Sequence, residues 1–165
     1  MEQGKTKILC LVRHAAAGAA EDGTDIRRPL SPDGQKQAKR LASRLADRRL
    51  SPDRIIASPA DRALETAAAL AGALGVNVTA IRVDGRIYDA SETDELLDVV
   101  RDFDNGESVV VLVGHQPVIG ELVLLLVPEF SGSIPKAGSA CIALDIPSWK
   151  DAGFGMGRLL WLETS

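Results

Sequence analysis

Cysteine, histidine and aromatic residues are all scarce in this chain. The two cysteines, Cys10 and Cys141, lie far apart inside apolar runs with no C-x-x-C spacing, which argues against a thiolate zinc site or redox pair and for buried free thiols. Aromatics make up 4% against 45% apolar residues, so the core has to be built from Val, Leu, Ile and Ala, a composition suited to helices packed on a sheet. A basic surplus is missing: 19 Lys and Arg face 23 Asp and Glu for a net charge of −4. That balance argues against a nucleic-acid partner, because phosphate-backbone binding shows as a cationic excess. No apolar stretch approaches the ~20 residues of a membrane span, and Met1–Lys7 leads into an apolar run too short for a signal core. A soluble, cytoplasmic protein with no membrane partner is expected. Neither the P-loop pattern G-x-x-x-x-G-K-[ST] nor a G-x-S-x-G elbow occurs, which sets aside P-loop nucleotide hydrolysis and the serine hydrolase elbow.

What is present is regular alternation. Strand-like runs fall at 7–12, 54–57, 78–83, 108–113, 139–146 and 157–162, with helical patterns between the first four. This predicts an α/β fold, a three-layer αβα sandwich with a largely parallel central sheet and helices on both faces. A chain of 165 residues can bury roughly 70% of its unfolded surface as one domain, 1–165. Ser31-Pro32 opens a helix with Ser31 as N-cap, Ala38, Leu41, Ala42, Leu45 and Ala46 as its buried stripe, and Lys36, Arg40, Arg44 and Arg48 as a solvated face. Ser58-Pro59 repeats the device ahead of a stripe of Leu64, Ala67, Ala68, Ala71 and Leu74, which puts Arg62 in the first turn. Between Asp84 and Glu107, Asp94, Asp98 and Asp102 oppose Leu96, Val100 and Phe103, the pattern of an amphipathic helix with a wet acidic face rather than a metal site. The helix after Pro117 should be nearly buried, and Gly153, Gly155 and Gly157 read as a turn into the last strand.

Both histidines of the chain stand where an apolar run breaks into a turn, His14 after Leu9-Cys10-Leu11-Val12-Arg13 and His115 after Val110-Val111-Leu112-Val113-Gly114. If those runs are neighbouring parallel strands, both imidazoles emerge at the carboxyl edge of the sheet, where open α/β folds bind ligands. Arg13 and Arg62 fall at the same edge. Two guanidiniums and two imidazoles without a carboxylate make a poor zinc site and a good phosphoryl site, because the forked donors of Arg match phosphate oxygens. Arg13 and Arg62 would clamp the equatorial oxygens, and His14, kept neutral by the flanking guanidiniums, would be the nucleophile. His115 would donate to the phosphoryl oxygens or to the leaving group.

These residues resemble the histidine phosphatase superfamily, and within it the small SixA-type phosphohistidine phosphatases. The resemblance rests on Leu11-Val12-Arg13-His14-Ala15, Arg28-Pro29-Leu30-Ser31-Pro32-Asp33-Gly34, the run from Ser58 to Ala67, Val113-Gly114-His115-Gln116-Pro117 and the late Lys136-Ala137-Gly138, with Ala15 where most members carry Gly. It implies a phosphoglycerate mutase-like fold and a covalent phosphohistidine on His14. It further implies phosphate binding by Arg13, Arg62 and His115, and no metal or organic cofactor. Larger members add a glutamate general acid after the third strand; here Asp89 is the nearest candidate and Glu92 the next. The implied substrate is a phosphohistidine-bearing protein, because imidazole leaves with less help than an alkoxide and the 15–28 loop, rich in Ala and Gly, reads as an open flap. The alternatives are a phosphomonoesterase or mutase acting on a small phosphate ester, which needs a working acid at Asp89 or Glu92, and a noncatalytic phosphate-binding module.

Overall fold

A computed structural model describes residues 6–164; Met1–Lys5, part of the N-terminal lead, and Ser165 lie outside them. The elements run β1 (Thr6–Arg13), α1 (Pro32–Asp47), β2 (Arg54–Ala57), α2 (Asp61–Leu74), β3 (Arg82–Val83), α3 (Gly85–Asp89), α4 (Thr93–Arg101), β4 (Val109–Gly114), α5 (Val118–Leu126), β5 (Ser139–Asp145) and β6 (Gly157–Glu163). They form one sheet in the order β3-β2-β4-β1-β5-β6. The four strands from β3 to β1 are parallel, while β5 runs antiparallel to both its neighbours, β1 and β6, so the sheet is mixed rather than parallel throughout.

Strands buried on both faces need apolar residues at successive positions rather than in alternation, and β1 and β4 have them. Leu9, Leu11, Val110 and Leu112 point to a core shared with α4 and α5. Cys10, Val12, Val111 and Val113 point to the other face, against Leu41 and Leu45 of α1 and Ala67 and Leu70 of α2. The αβα layering expected from the alternation is therefore present. Cys10 and Cys141, remote in sequence, face one another across β1 and β5 as buried free thiols, and hydrogen bonding with Cys141 together with burial raises the Cys10 thiol pKa.

Three local expectations need correction. The run 78–83 is not one strand: the Asn77 side chain accepts from the Thr79 amide and turns Val78–Ala80 into a 3-10 helix, leaving Arg82–Val83 as a short edge strand. Ser58 does not cap α2. It accepts from the Ala60 amide at 3.2 Å, and the helix begins at Asp61 with no side-chain cap. The buried face of α2 contains Arg62, Ala63, Thr66, Ala67, Leu70 and Ala71, while Leu64 and Leu74 are only partly buried. A stripe drawn through apolar residues alone misses this rotation, because two polar residues, Arg62 and Thr66, lie on the inner face.

Ser31 does cap α1, accepting from the Gly34 amide at 3.0 Å with Pro32 in the first turn. Gly34 has a stricter role. A Cβ there would lie 1.9 Å from the carbonyl oxygen of Ala16, so the helix start and the chain just after His14 are in van der Waals contact with no room for a methyl group. Gly34→Ala is expected to cost about 2 kcal/mol or more by overpacking against rigid backbone. A lowered Tm together with weaker phosphate binding is the expected readout; an unchanged Tm would refute the contact.

Candidate active site

The parallel order β2-β4-β1 carries Arg13, His14, Arg62 and His115 to one carboxyl edge, as the topology rule for open sheets requires. Arg13 ends β1 in register with Gly114, which ends β4, and the His14 amide donates to the Gly114 carbonyl at 3.1 Å. The two histidine rings lie 5.2 Å apart between centroids. With Tyr88, Asp25 and Pro117 they line a cavity of about 520 Å³.

The ring of His14 is fixed in one orientation. Its Nδ1 lies 2.7 Å from the Ala15 carbonyl oxygen, which can only accept, so Nδ1 carries the proton and donates it. Nε2 is left with its lone pair, and the Arg62 Nε–H donates toward it at 3.4 Å. Burial is the main cause that pulls the His14 pKa from the ordinary 6.5 to about 4; Arg62, Arg13 and Lys136 push the same way, and the bond to Ala15 opposes them. His115 also drops to about 4, again chiefly by burial, with the His14 and Arg62 charges adding to it. Both rings are therefore neutral at physiological pH, and the guanidiniums are the lesser cause. His115 meets the Ser58 hydroxyl through Nε2 at 2.8 Å, while its buried Nδ1 has no partner.

These shifts carry a stability consequence whose sign is fixed. Between pH about 6.5 and 4 the unfolded chain binds protons at both histidines that the folded chain does not, so stability is full above that window and is lost as the pH falls through it. The loss by pH 5 is roughly 2 kcal/mol per histidine. Thermal melts at pH 7 and 5 should show a drop in Tm that shrinks when both histidines are replaced by asparagine; an equal drop in that variant would refute the assignment.

The segment from Lys136 to Gly138 braces the strand end. The Ala137 amide is shared between the Arg13 and His14 carbonyls at 3.2 Å each, and the Gly138 carbonyl accepts from the Arg13 amide at 3.0 Å. Ala137 holds a left-handed φ of 57° to do so, a conformation that costs a non-glycine residue roughly 1–2 kcal/mol. The Arg13 guanidinium donates from Nη1 to the Ile134 carbonyl, and its buried Nε is unpartnered beside the cavity.

Sequence reasoning missed Asp25. Arg62, buried in the first turn of α2, donates from Nη1 to the Asp25 carbonyl at 2.9 Å and from Nη2 to its carboxylate at 3.0 Å, and the Tyr88 hydroxyl donates to the same carboxylate at 2.8 Å. Hydrogen bonds from Tyr88 first, then Arg62 and Arg28, hold the Asp25 pKa down to about 2. The Asp61 amide also binds the Ile26 carbonyl, and Arg28 binds the Gly18 carbonyl, so the 15–28 loop is tied to the site rather than open as its composition suggested. No periodicity marks Asp25, because a loop residue has none. Asp89 is exposed and Glu92 opens α4, where its amide donates to the Glu95 carboxylate; neither lines the cavity. Among the described residues no group of three or more His, Cys, Asp or Glu side chains is placed to hold a metal ion.

A cavity with a fixed imidazole lone pair and two guanidiniums is suited to in-line attack on phosphorus, and comparison with known proteins bears on that chemistry. Residues 9–88 match the sequence model of the histidine phosphatase superfamily (branch 1). Over that span the chain carries the superfamily's sequence pattern, and its fold is similar over nearly the whole length to that of proteins named within it. Within that class its likeness is to SixA-type proteins. A provisionally named phosphohistidine phosphatase SixA from Nakamurella multipartitia is similar at a TM-score of 0.83 and 26% identity, over 98% of each chain. Another from Agrobacterium tumefaciens is similar at 0.79 and 26%, over 96% of this chain and 98% of that one. A mycobacterial glucosyl-3-phosphoglycerate phosphatase shares the fold at 0.66 and 18% identity, over 98% of this chain and 100% of its own. No curated protein matches the chain in sequence.

Proposed function

We propose that this phosphatase, working as one cytoplasmic domain, removes phosphate from protein-borne phosphohistidine through a covalent intermediate on His14. The observation that carries this reading is the absence of a protonated carboxyl from the cavity lining. Asp25, the carboxylate there, is held at about 2 and is ionised at neutral pH. An alkyl phosphate needs a proton delivered to its bridging oxygen as the bond breaks. A phosphorylated imidazole can take its proton from water at the far ring nitrogen beforehand and leave as neutral imidazole. The likeness to SixA-type proteins supports the same substrate class.

In the first step the His14 Nε2 lone pair forms a bond to phosphorus, the phosphorus–nitrogen bond of the substrate breaks, and the substrate imidazole leaves with the electron pair. Arg13 and Arg62 hold the equatorial oxygens, where the charge of a loose transition state collects. His115, oriented by Ser58, completes the oxyanion contacts. In the second step water attacks phosphorus, the bond to Nε2 breaks, and the proton that water loses passes to the phosphate or to solvent. The proton on Nδ1, held by the Ala15 carbonyl, leaves Nε2 its lone pair for the first step and lets His14 depart as a neutral imidazole in the second.

Phosphate release from a histidine-phosphorylated protein should exceed release from alkyl phosphomonoesters by about 100-fold or more in kcat/KM, the contribution of one general acid. Equal or greater activity on an alkyl ester would overturn the substrate assignment and leave the phosphatase class intact.

A further inference from the structure

The surface beside the cavity carries an apolar track that catalysis does not use. Gln116 and Pro117 line the catalytic cavity and also a neighbouring hollow of about 230 Å³, which runs over Gly120 to Glu121 and Leu124. Glu121 and Leu124 then line a further hollow of about 530 Å³ with Leu125 and Phe154. The three are continuous along the outer face of α5, and the rise of a helix from Pro117 to Leu124 is about 10 Å. Leu124 is 48% and Phe154 76% exposed. Phe154 is held out by its turn, since the Gly155 amide donates to the Leu125 carbonyl at 3.0 Å. A contiguous exposed patch of this kind marks an interaction site more often than isolated apolar residues do.

We propose that this track docks an amphipathic helix of the protein whose phosphohistidine enters the cavity, a role that rests on the substrate assignment above. The outward residues Pro117, Glu121 and Leu124 recur at i, i+4 and i+7, the spacing a second helix meets when it packs lengthwise. Charge selects the occupant. The cavity is cationic through Arg13 and Arg62, whereas the track carries Glu121 and borders Thr93, which opens the helix turn bearing Asp94 and Glu95. A ligand with a phosphoryl group at one end and an apolar, Lys- or Arg-flanked helix beside it is oriented by both fields at once. A small phosphate ester would fill the cavity and leave the track bare.

The test uses two synthetic helical peptides, each phosphorylated on one histidine: one with leucines at i, i+4 and i+7 flanked by lysines, the other with serines in place of the leucines. Free phosphohistidine is the third substrate. The leucine peptide should show a KM about tenfold below the serine peptide, the worth of a modest hot spot, with kcat within about twofold. That difference should vanish in Leu124→Ser/Phe154→Ser, and Glu121→Lys should raise the KM for the leucine peptide, with turnover of free phosphohistidine unchanged in both variants. Equal KM values for the two peptides, or a difference that survives the variants, would overturn the docking role while leaving phosphohistidine hydrolysis standing. No release from any of the three substrates, by an enzyme active on phosphomonoesters, would overturn the substrate assignment and the docking role with it.

Discussion

His14→Ala should lower phosphate release by on the order of 10⁵-fold, the scale seen when a covalent nucleophile is removed from an otherwise intact site. The size of the effect follows from the lack of a substitute. His115 is the other imidazole in the cavity, but its Nδ1 is buried and its Nε2, paired with the Ser58 hydroxyl, is assigned to the phosphoryl oxygens rather than to attack on phosphorus. Water cannot recover the loss, because it lacks what the half-buried His14 ring has, a neutral lone pair aimed before substrate arrives. Acid-quenched wild type mixed with substrate should carry acid-labile phosphate on His14, and the variant should carry none. The variant should still bind tungstate, since Arg13 and Arg62 remain, and that binding separates a lost nucleophile from a lost fold. Acid-labile phosphate on the variant, or release within about tenfold of wild type, would refute the mechanism.

The four residues first assigned to the site were legible because each sits at a punctuation mark. Arg13 and His14 end a run of apolar residues, His115 follows a glycine at the end of another, and Arg62 comes just after a Ser-Pro pair. Such boundaries fix position along a strand, and parallel topology then brings them to one edge. Asp25 has no such marker, and only the return of the loop through Ile26 to the start of α2 brings it to Arg62. Ser58 is marked by local pattern, but for a different role. Its hydroxyl looked like a helix cap by local pattern, whereas its partner is His115, 57 positions away in the chain. Gly34 closes the Arg28–Gly34 motif with no local pattern to explain it, and the reason is steric contact with Ala16. The third strand was overextended because Val78 and Thr79 have β-type side chains, yet the Asn77 side chain offered the backbone a competing turn. The ends of strand-like runs are thus legible in local pattern, whereas long-range contacts such as Ser58–His115, Asp25–Arg62 and Gly34–Ala16 are not.

Arg62→Ala should cost about 10³- to 10⁴-fold in kcat/KM, within the range for an arginine that stabilises a transferring phosphoryl group. Arg62→Lys should recover little of it. The guanidinium reaches three groups in different directions, the His14 ring through Nε, the Asp25 carbonyl through Nη1 and the Asp25 carboxylate through Nη2, and an ammonium on a flexible stem cannot reproduce that fork. The Thr66 hydroxyl, which donates to the Arg62 carbonyl and accepts from the Ala15 amide, ties the same turn to the chain beside the nucleophile. Loss of the side chain therefore also frees the 15–28 loop. Asp25→Asn keeps the backbone carbonyl and an acceptor oxygen, so its own effect should be about tenfold or less, and it should nearly disappear in the Arg62→Ala background, because the two residues act as one unit. Steady-state kinetics on the four members of this cycle decide the matter. Additive losses would mean that Asp25 acts on the phosphoryl group independently of Arg62, and the orienting role assigned to it would be wrong.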